Sequence, residues 1–254
     1  MHLLLLHGNG GSRTRFLPFL DQIKRLRPDW TVVIPALSGF DGRPLPAAEN
    51  YWDLFLSEIE RDLAPYPTEN WVLYGHGIGG SLLMEWAGRG YCLPGGREMV
   101  PTQVILNSVI GASLHKRFFP QLMKPSWIRR SMQRLIAAPW MQPVWERRLF
   151  QQPEQIDADL RRQFFADYAH CEAFSVFFDL ITVEWYRQLR PRIADQPFYF
   201  LWGENERIVE AKYLSLWRSD FPQACIESVP GWDHFPMLDQ PEEFTRKIVN
   251  LVGA

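Results

Sequence analysis

Short apolar runs recur along the chain and set its rhythm. Leu3–Leu6 is apolar at every position and is bounded by His7-Gly8. With no alternation, it suits a strand buried on both faces, as in a parallel sheet. Further strands are predicted at Thr31–Ile34, Trp71–Tyr74, Val104–Leu106, Phe198–Trp202 and Ala224–Val229. Between them the period changes. Phe16, Phe19, Leu20, Ile23 and Leu26 recur at helical spacing, with Ser12 as the cap. Tyr51–Leu63 predicts a helix with its core stripe at Leu54, Phe55, Ile59 and Leu63. A third helix is expected from about Ser81 through Met84, Glu85 and Ala87. Later ones cover Ala211–Trp217 and the stretch from about Pro241, with Asp239 as its cap. Ala36–Asn50, rich in Pro and Gly, reads as a loop.

From Gly111 to about Arg190 no strand-like run occurs. Short helical segments are broken by Pro120, Pro125, Pro139, Pro143 and Pro153, in a stretch full of Trp, Phe and Leu. That pattern predicts an inserted helical region, residues 111–190, within one domain spanning 1–254. Strands alternating with helices predict an α/β fold with a mainly parallel sheet. Right-handed crossovers put the loops after the strands along one edge of the sheet, where ligands bind. The turns at Gly8, Gly75, Gly203 and Gly231 are therefore candidates for one shared site.

The densest chemistry lies in Trp71–Trp86, WVLYGHGIGGSLLMEW. A buried strand, a glycine-rich turn and a helix are the layout of a nucleophile elbow, G-x-Ser-x-G. The frame here is Gly75-His76-Gly77-Ile78-Gly79, so the position of the serine is Gly77. His76, one residue before the apex, is expected to point away from the site. A second frame, Gly75-x-Gly77-x-x-Gly80, spells the dinucleotide fingerprint. That fingerprint wants an acid at the end of the next strand, which here ends Leu106-Asn107-Ser108.

Four segments in order resemble the α/β-hydrolase superfamily of esterases and lipases. Leu4–Ser12, LLLHGNGGS, is similar to its oxyanion loop, and Tyr74–Gly80, YGHGIGG, to its G-H-S-x-G-G elbow. Leu201–Val209, LWGENERIV, is similar to the segment carrying the acid, and Gly231–Phe235, GWDHF, to the one carrying the histidine. The resemblance implies the α/β-hydrolase fold with a helical lid. It implies backbone N–H groups of Asn9 and Ile78 in an oxyanion hole, His234 as general base, and Glu206 in the place usually held by Asp. Gly77 departs from the pattern. Loss of a triad serine costs about 10⁶ in turnover, with about 10³–10⁴ over water remaining from binding and the oxyanion hole.

Charge and cysteines narrow the setting. A net charge of −2 gives no pull toward nucleic acid. Cys92, Cys171 and Cys225 form no pattern, which fits small buried side chains in a reducing compartment. The leucines after Met1 are too few for a signal-peptide core, and the longest apolar stretch, Phe174–Trp185, carries Asp179 and Glu184. A cytoplasmic protein is expected. His2, His115 and His170 lack partners at ligand spacing, so no metal or cofactor is implied. Within 111–150, Lys116, Arg117, Lys124, Arg129, Arg130, Arg134, Arg147 and Arg148 face one acid, Glu146. Trp127, Trp140, Trp145, Phe118 and Phe119 are interleaved. This is either a surface for an anionic amphiphile, an acyl-carrier partner or lipid headgroups, or a solvated face balanced by Glu154, Asp157, Asp159 and Asp167.

Three functions follow. The leading one is His234/Glu206 general-base chemistry on a small or acyl-type substrate, by direct water attack or as a lyase, without an acyl-enzyme. The others are a non-catalytic binding member of the family, and a serine esterase whose Ser has been substituted at position 77.

Overall fold

The six apolar runs lie side by side in one sheet. The computed structural model describes residues 1–116 and 122–253. Its strands are β1 (His2–Leu6), β2 (Thr31–Val33), β3 (Trp71–His76), β6 (Gln103–Asn107), β7 (Phe198–Gly203) and β8 (Cys225–Val229), in the order β2-β1-β3-β6-β7-β8. Every pairing is parallel. A two-stranded antiparallel ribbon, β4 (Cys92–Leu93) and β5 (Arg97–Glu98), stands apart. Leu3–Leu6 is fully buried, as its unbroken apolar run requires. Each such side chain contributes roughly 2 kcal/mol of apolar burial.

Helices α1 (Leu17–Leu26), α2 (Tyr51–Leu63) and α3 (Ile78–Ala87) follow the first three strands. The expected stripe of α2 holds at Phe55, Ile59 and Leu63. All ten residues of α3 are buried; its two polar side chains are satisfied, Ser81 by the Ile110 carbonyl and Glu85 by Arg89 and Trp185. It begins at Ile78, three residues before the expected start, because the chain enters the helix directly at the glycine turn. Ser12 does cap, its oxygen accepting from the Thr14 N–H, but the turn it opens is a short 3-10 helix ahead of α1.

Between β6 and β7 the chain is helical: α4 (Ser126–Ala137), α5 (Gln142–Leu149), α6 (Ala158–Ala169), α7 (Val176–Leu180) and α8 (Val183–Ile193). Arg117, Phe118, Phe119 and Pro120 lie outside the described residues. The chain returns through β7, α9 (Leu214–Asp220), β8, α10 (Pro236–Asp239) and α11 (Pro241–Gly253). Asp239 does not cap α11. Its buried carboxylate instead accepts from the Gln151 and Gln152 N–H groups at 3.0 and 3.3 Å, tying the helical segment to the turn after β8. Among the described residues, no helix is long and apolar enough to cross a membrane.

Candidate active site

The register of β1 on β3 pairs Leu6 with Gly75. Continued by two residues, it sets Gly8 beside Gly77 at the sheet edge. Gly77 is the apex of the strand-to-helix turn, with φ 54° and ψ −117°. That is left-handed backbone, costly for a residue with a side chain. Its N–H donates to the Asn107 carbonyl at 2.9 Å, which fastens the apex to β6. A Cβ added at Gly77 would meet only the Gly8 Cα, at 3.6 Å. Two residues on, a Cβ at Gly79 would lie 2.5 Å from the Leu6 carbonyl oxygen. Glycine at 79 is thus what lets α3 press against the end of β1.

The turn after β1 closes over this apex. The Asn9 side chain is engaged at both polar atoms: Oδ1 accepts from the Gly10 N–H at 3.0 Å, and Nδ2 donates to the Phe174 carbonyl at 3.0 Å. Among the described residues its backbone N–H finds no acceptor. Ile78 opens α3, so its N–H belongs to the first turn, which lacks intrahelical acceptors. Both N–H groups expected for an oxyanion hole thus follow the two glycines, Gly8 and Gly77, that meet at the edge.

His234 and Glu206 come from the loops after β8 and β7 and meet in a buried hydrogen bond. His234 Nδ1 lies 2.7 Å from Glu206 Oε2. Ser108 Oγ donates to the same oxygen at 2.6 Å, while the Ile208 and Val209 N–H groups donate to Oε1 at 2.7 and 2.9 Å. Burial by itself would raise this carboxyl. The charge of His234, with the hydrogen bonds from His234, Ser108 and Val209, overcomes it and holds Glu206 at about 2. An ionised carboxylate only accepts, so Nδ1 of His234 carries the shared proton and Nε2 is the ring nitrogen left for proton exchange.

His76 does not turn away as expected. Its ring lies 4.6 Å from that of His234, and its Nε2–H donates to the His234 carbonyl at 2.8 Å. Burial first, and the charge of His234 second, keep it well below its usual range, so it is a neutral prop for the His234 loop. Four other residues went unsignalled by the motifs. Ser108 leaves β6 with φ 48° and reaches Glu206 across 98 positions. Asp233 is wholly buried and bonds Arg207 Nε at 2.7 Å, the Arg207 N–H at 3.3 Å and the His234 N–H at 2.8 Å. Arg207 also donates to the Arg147 and Phe150 carbonyls, at 2.8 and 3.0 Å, so it joins the acid loop, the histidine loop and the helical segment. Buried Arg15 bonds the Gly10 carbonyl at 2.9 Å, and its Cζ lies 3.4 Å from the centre of the Phe164 ring. Asp233 and Arg207 are adjacent in sequence to His234 and Glu206; Ser108 and Arg15 had no local signal.

The site is enclosed. The His234 side chain is 10 % exposed and that of Glu206 not at all. Two surface hollows, of about 520 and 420 Å³, are lined by Arg147, Arg148 and Arg207 on one side and by Trp52, Glu85 and Trp185 on another; neither touches Gly77 or His234. Among the described residues, no group of three or more His, Cys, Asp or Glu side chains is arranged to hold a metal ion.

This arrangement has structural parallels. An esterase from Rhodococcus sp. ECU1013 superposes with a TM-score of 0.72 at 17% identity, covering 100% of this chain and 90% of its own. A bromoperoxidase from Bacillus anthracis gives 0.74 at 14% identity, over 100% and 92%. MenH from S. aureus gives 0.71 at 17% identity, over 100% and 93%. At such identities the likeness is one of fold. Among curated proteins nothing matches. The family model described as "Alpha/beta hydrolase family" matches residues 3–247. With that match over nearly the whole sequence, and a parallel sheet whose loops bring the acid and histidine segments together, the chain belongs to the alpha/beta hydrolase family.

Proposed function

We propose that the protein is a hydrolase-fold catalyst that works by general-base chemistry at His234, with position 77 vacated by the usual serine. His234 Nε2 takes a proton from a water above Gly77, or from an acidic C–H of the substrate. Glu206 stays ionised and stabilises the imidazolium that forms. The Asn9 and Ile78 N–H groups hold the developing oxyanion. The water oxygen attacks a small or acyl-type substrate directly, or the carbanion expels a leaving group, and His234 returns the proton. The helical segment 111–190 of this single domain, 1–254, serves as the lid. Cys92, Cys171 and Cys225 are free thiols, in keeping with a cytoplasmic setting.

The observation that carries the reading is the carboxylate–imidazole pair. Glu206 receives four hydrogen bonds in a buried pocket, one of them from His234 at 2.7 Å. A general base needs its tautomer fixed in this way. The test is turnover of an ester and acid-carbon panel by the chain, Gly77→Ala, Gly77→Ser and His234→Ala. Activity that survives in Gly77→Ala and disappears in His234→Ala is expected. Ligand binding without turnover, unaffected by His234→Ala, would refute the reading in favour of a non-catalytic member. The room around Gly77 makes the serine variant informative. Gly77→Ser is expected to hydrolyse activated acyl esters, and Gly77→Ser/His234→Ala is not.

A further inference from the structure

The helical segment carries an outer face that the site does not use. On α4, Trp127, Arg130 and Arg134 stand three and four residues apart, hence on one side of the helix, and all three are exposed. The opposite side packs inward: Arg129 is buried and pairs with Asp179 at 2.6 Å. Trp145 Nε1 donates to the Leu135 carbonyl at 3.1 Å and holds α5 against the end of α4. From α5 and the turn before it, Trp140, Val144, Arg147 and Arg148 face solvent. Trp127 is 64% exposed, Trp140 73% and Val144 56%.

The cations of this face are uncompensated. Among the described residues, none of Lys124, Arg130, Arg134, Arg147 and Arg148 pairs with a carboxylate. The acids nearby are engaged elsewhere: Glu146 by Arg161 at 3.6 Å, and Asp179 by Arg129. The chain as a whole carries −2, so this face is a positive patch on a slightly negative molecule. Of the acids later in the segment, Asp167 accepts from Ser12, Asp159 pairs with Arg162 and Asp157 caps α6, which leaves exposed Glu154 against five cations.

We propose that the outer face of α4 and α5 docks on an anionic lipid bilayer. The five cations complement acidic headgroups, and two exposed indoles with Val144 supply what headgroups alone do not need: apolar and amphipathic groups that sit at the interface. A polyanion such as nucleic acid would leave the exposed Trp127, Trp140 and Val144 side chains uncovered. The docked face is also joined to the site. Arg207, beside Glu206, donates to the Arg147 and Phe150 carbonyls at the end of α5 and binds Asp233 beside His234. Docking does not require turnover and stands apart from the catalytic reading.

The experiment is co-sedimentation of the full chain with phosphatidylcholine vesicles, with and without phosphatidylglycerol. Binding is expected only to the anionic vesicles and is expected to vanish near 1 M salt, where the screening length falls to about 3 Å. Arg130→Ala/Arg134→Ala should weaken it about 30-fold, from roughly tenfold or less for each cation at the surface. Trp127→Ala/Trp140→Ala should weaken it about tenfold or more. Lys24→Ala/Arg25→Ala on α1 should leave it unchanged. If the double arginine variant does not fold, Lys124→Gln/Arg147→Gln makes the same comparison. Equal binding to neutral vesicles, no binding to anionic ones, or binding indifferent to both pairs overturns the proposal. Tighter retention on duplex DNA than on vesicles, insensitive to the tryptophan pair, assigns the face to a polyanion instead.

Discussion

Replacing Glu206 by glutamine tests the buried pair without knowledge of the substrate. The carboxyl is held at about 2 against a usual 4.5. At about 1.4 kcal/mol per unit, that difference contributes about 3 kcal/mol to stability. The sign follows from a depressed pKa. The contribution is whole above the unfolded value of 4.5 and is lost as pH falls toward about 2; about 2 kcal/mol is gone by roughly pH 3. In Glu206→Gln the side chain is a neutral amide at every pH. The amide oxygen keeps the Ile208 and Val209 N–H groups, but the NH₂ faces the His234 nitrogen that previously donated. His234 must then carry its proton on Nε2 and lose its lone pair toward the site. Urea unfolding of both proteins, followed by tryptophan fluorescence from about pH 7 to pH 3, reads the effect. The stability gap is expected to shrink by about 2 kcal/mol across that range. A gap independent of pH would refute the ionised pair, and with it the fixed tautomer on which general-base action rests.

Other substitutions probe the supports. Gly79→Ala drives a methyl to within 2.5 Å of the Leu6 carbonyl; a loss of about 3 kcal/mol and a melting temperature roughly 5–10 °C lower are expected by calorimetry. Arg207→Ala leaves the buried Asp233 carboxylate without its cation, at a cost of about 3 kcal/mol that Asp233→Asn should partly recover in urea titrations of the double variant. Burial pushes Asp239 up to about 6 from 3.8. A raised carboxyl costs stability as pH rises through its folded value, so Asp239→Asn should gain about 1 kcal/mol relative to the parent between about pH 5 and pH 7, read from unfolding midpoints.

The helical segment gave up least to sequence reading. Its prolines mark where helices start: Pro125, Pro139 and Pro143 sit at or next to the first helical residue, where a missing N–H costs nothing. They do not say which face of α4 packs and which faces outward, because the partner surface comes from elements distant in the chain. The same holds for Asp239, whose position suits a cap but whose carboxylate is taken by Gln151 and Gln152. A local rule assigns a polar residue to its neighbours; burial gives it to whichever donors would otherwise be stranded.

By itself the sequence determined the six strands of the main sheet (though not the short β4–β5 ribbon), the alternation that makes the sheet parallel, and the four segments at its carboxyl edge. These depend on local period and on turns that only glycine tolerates, both written in consecutive residues. The tertiary structure decided what those segments do together. It set the order β2-β1-β3-β6-β7-β8, which brings loops 28 residues apart into one hydrogen bond between Glu206 and His234. It recruited Ser108 from another strand, turned His76 under the histidine loop, and enlisted Arg207 to hold two loops and α5. Those contacts are chosen by the need to satisfy charge and polar groups once water has been removed, and that need does not exist until the sheet and helices have closed around them.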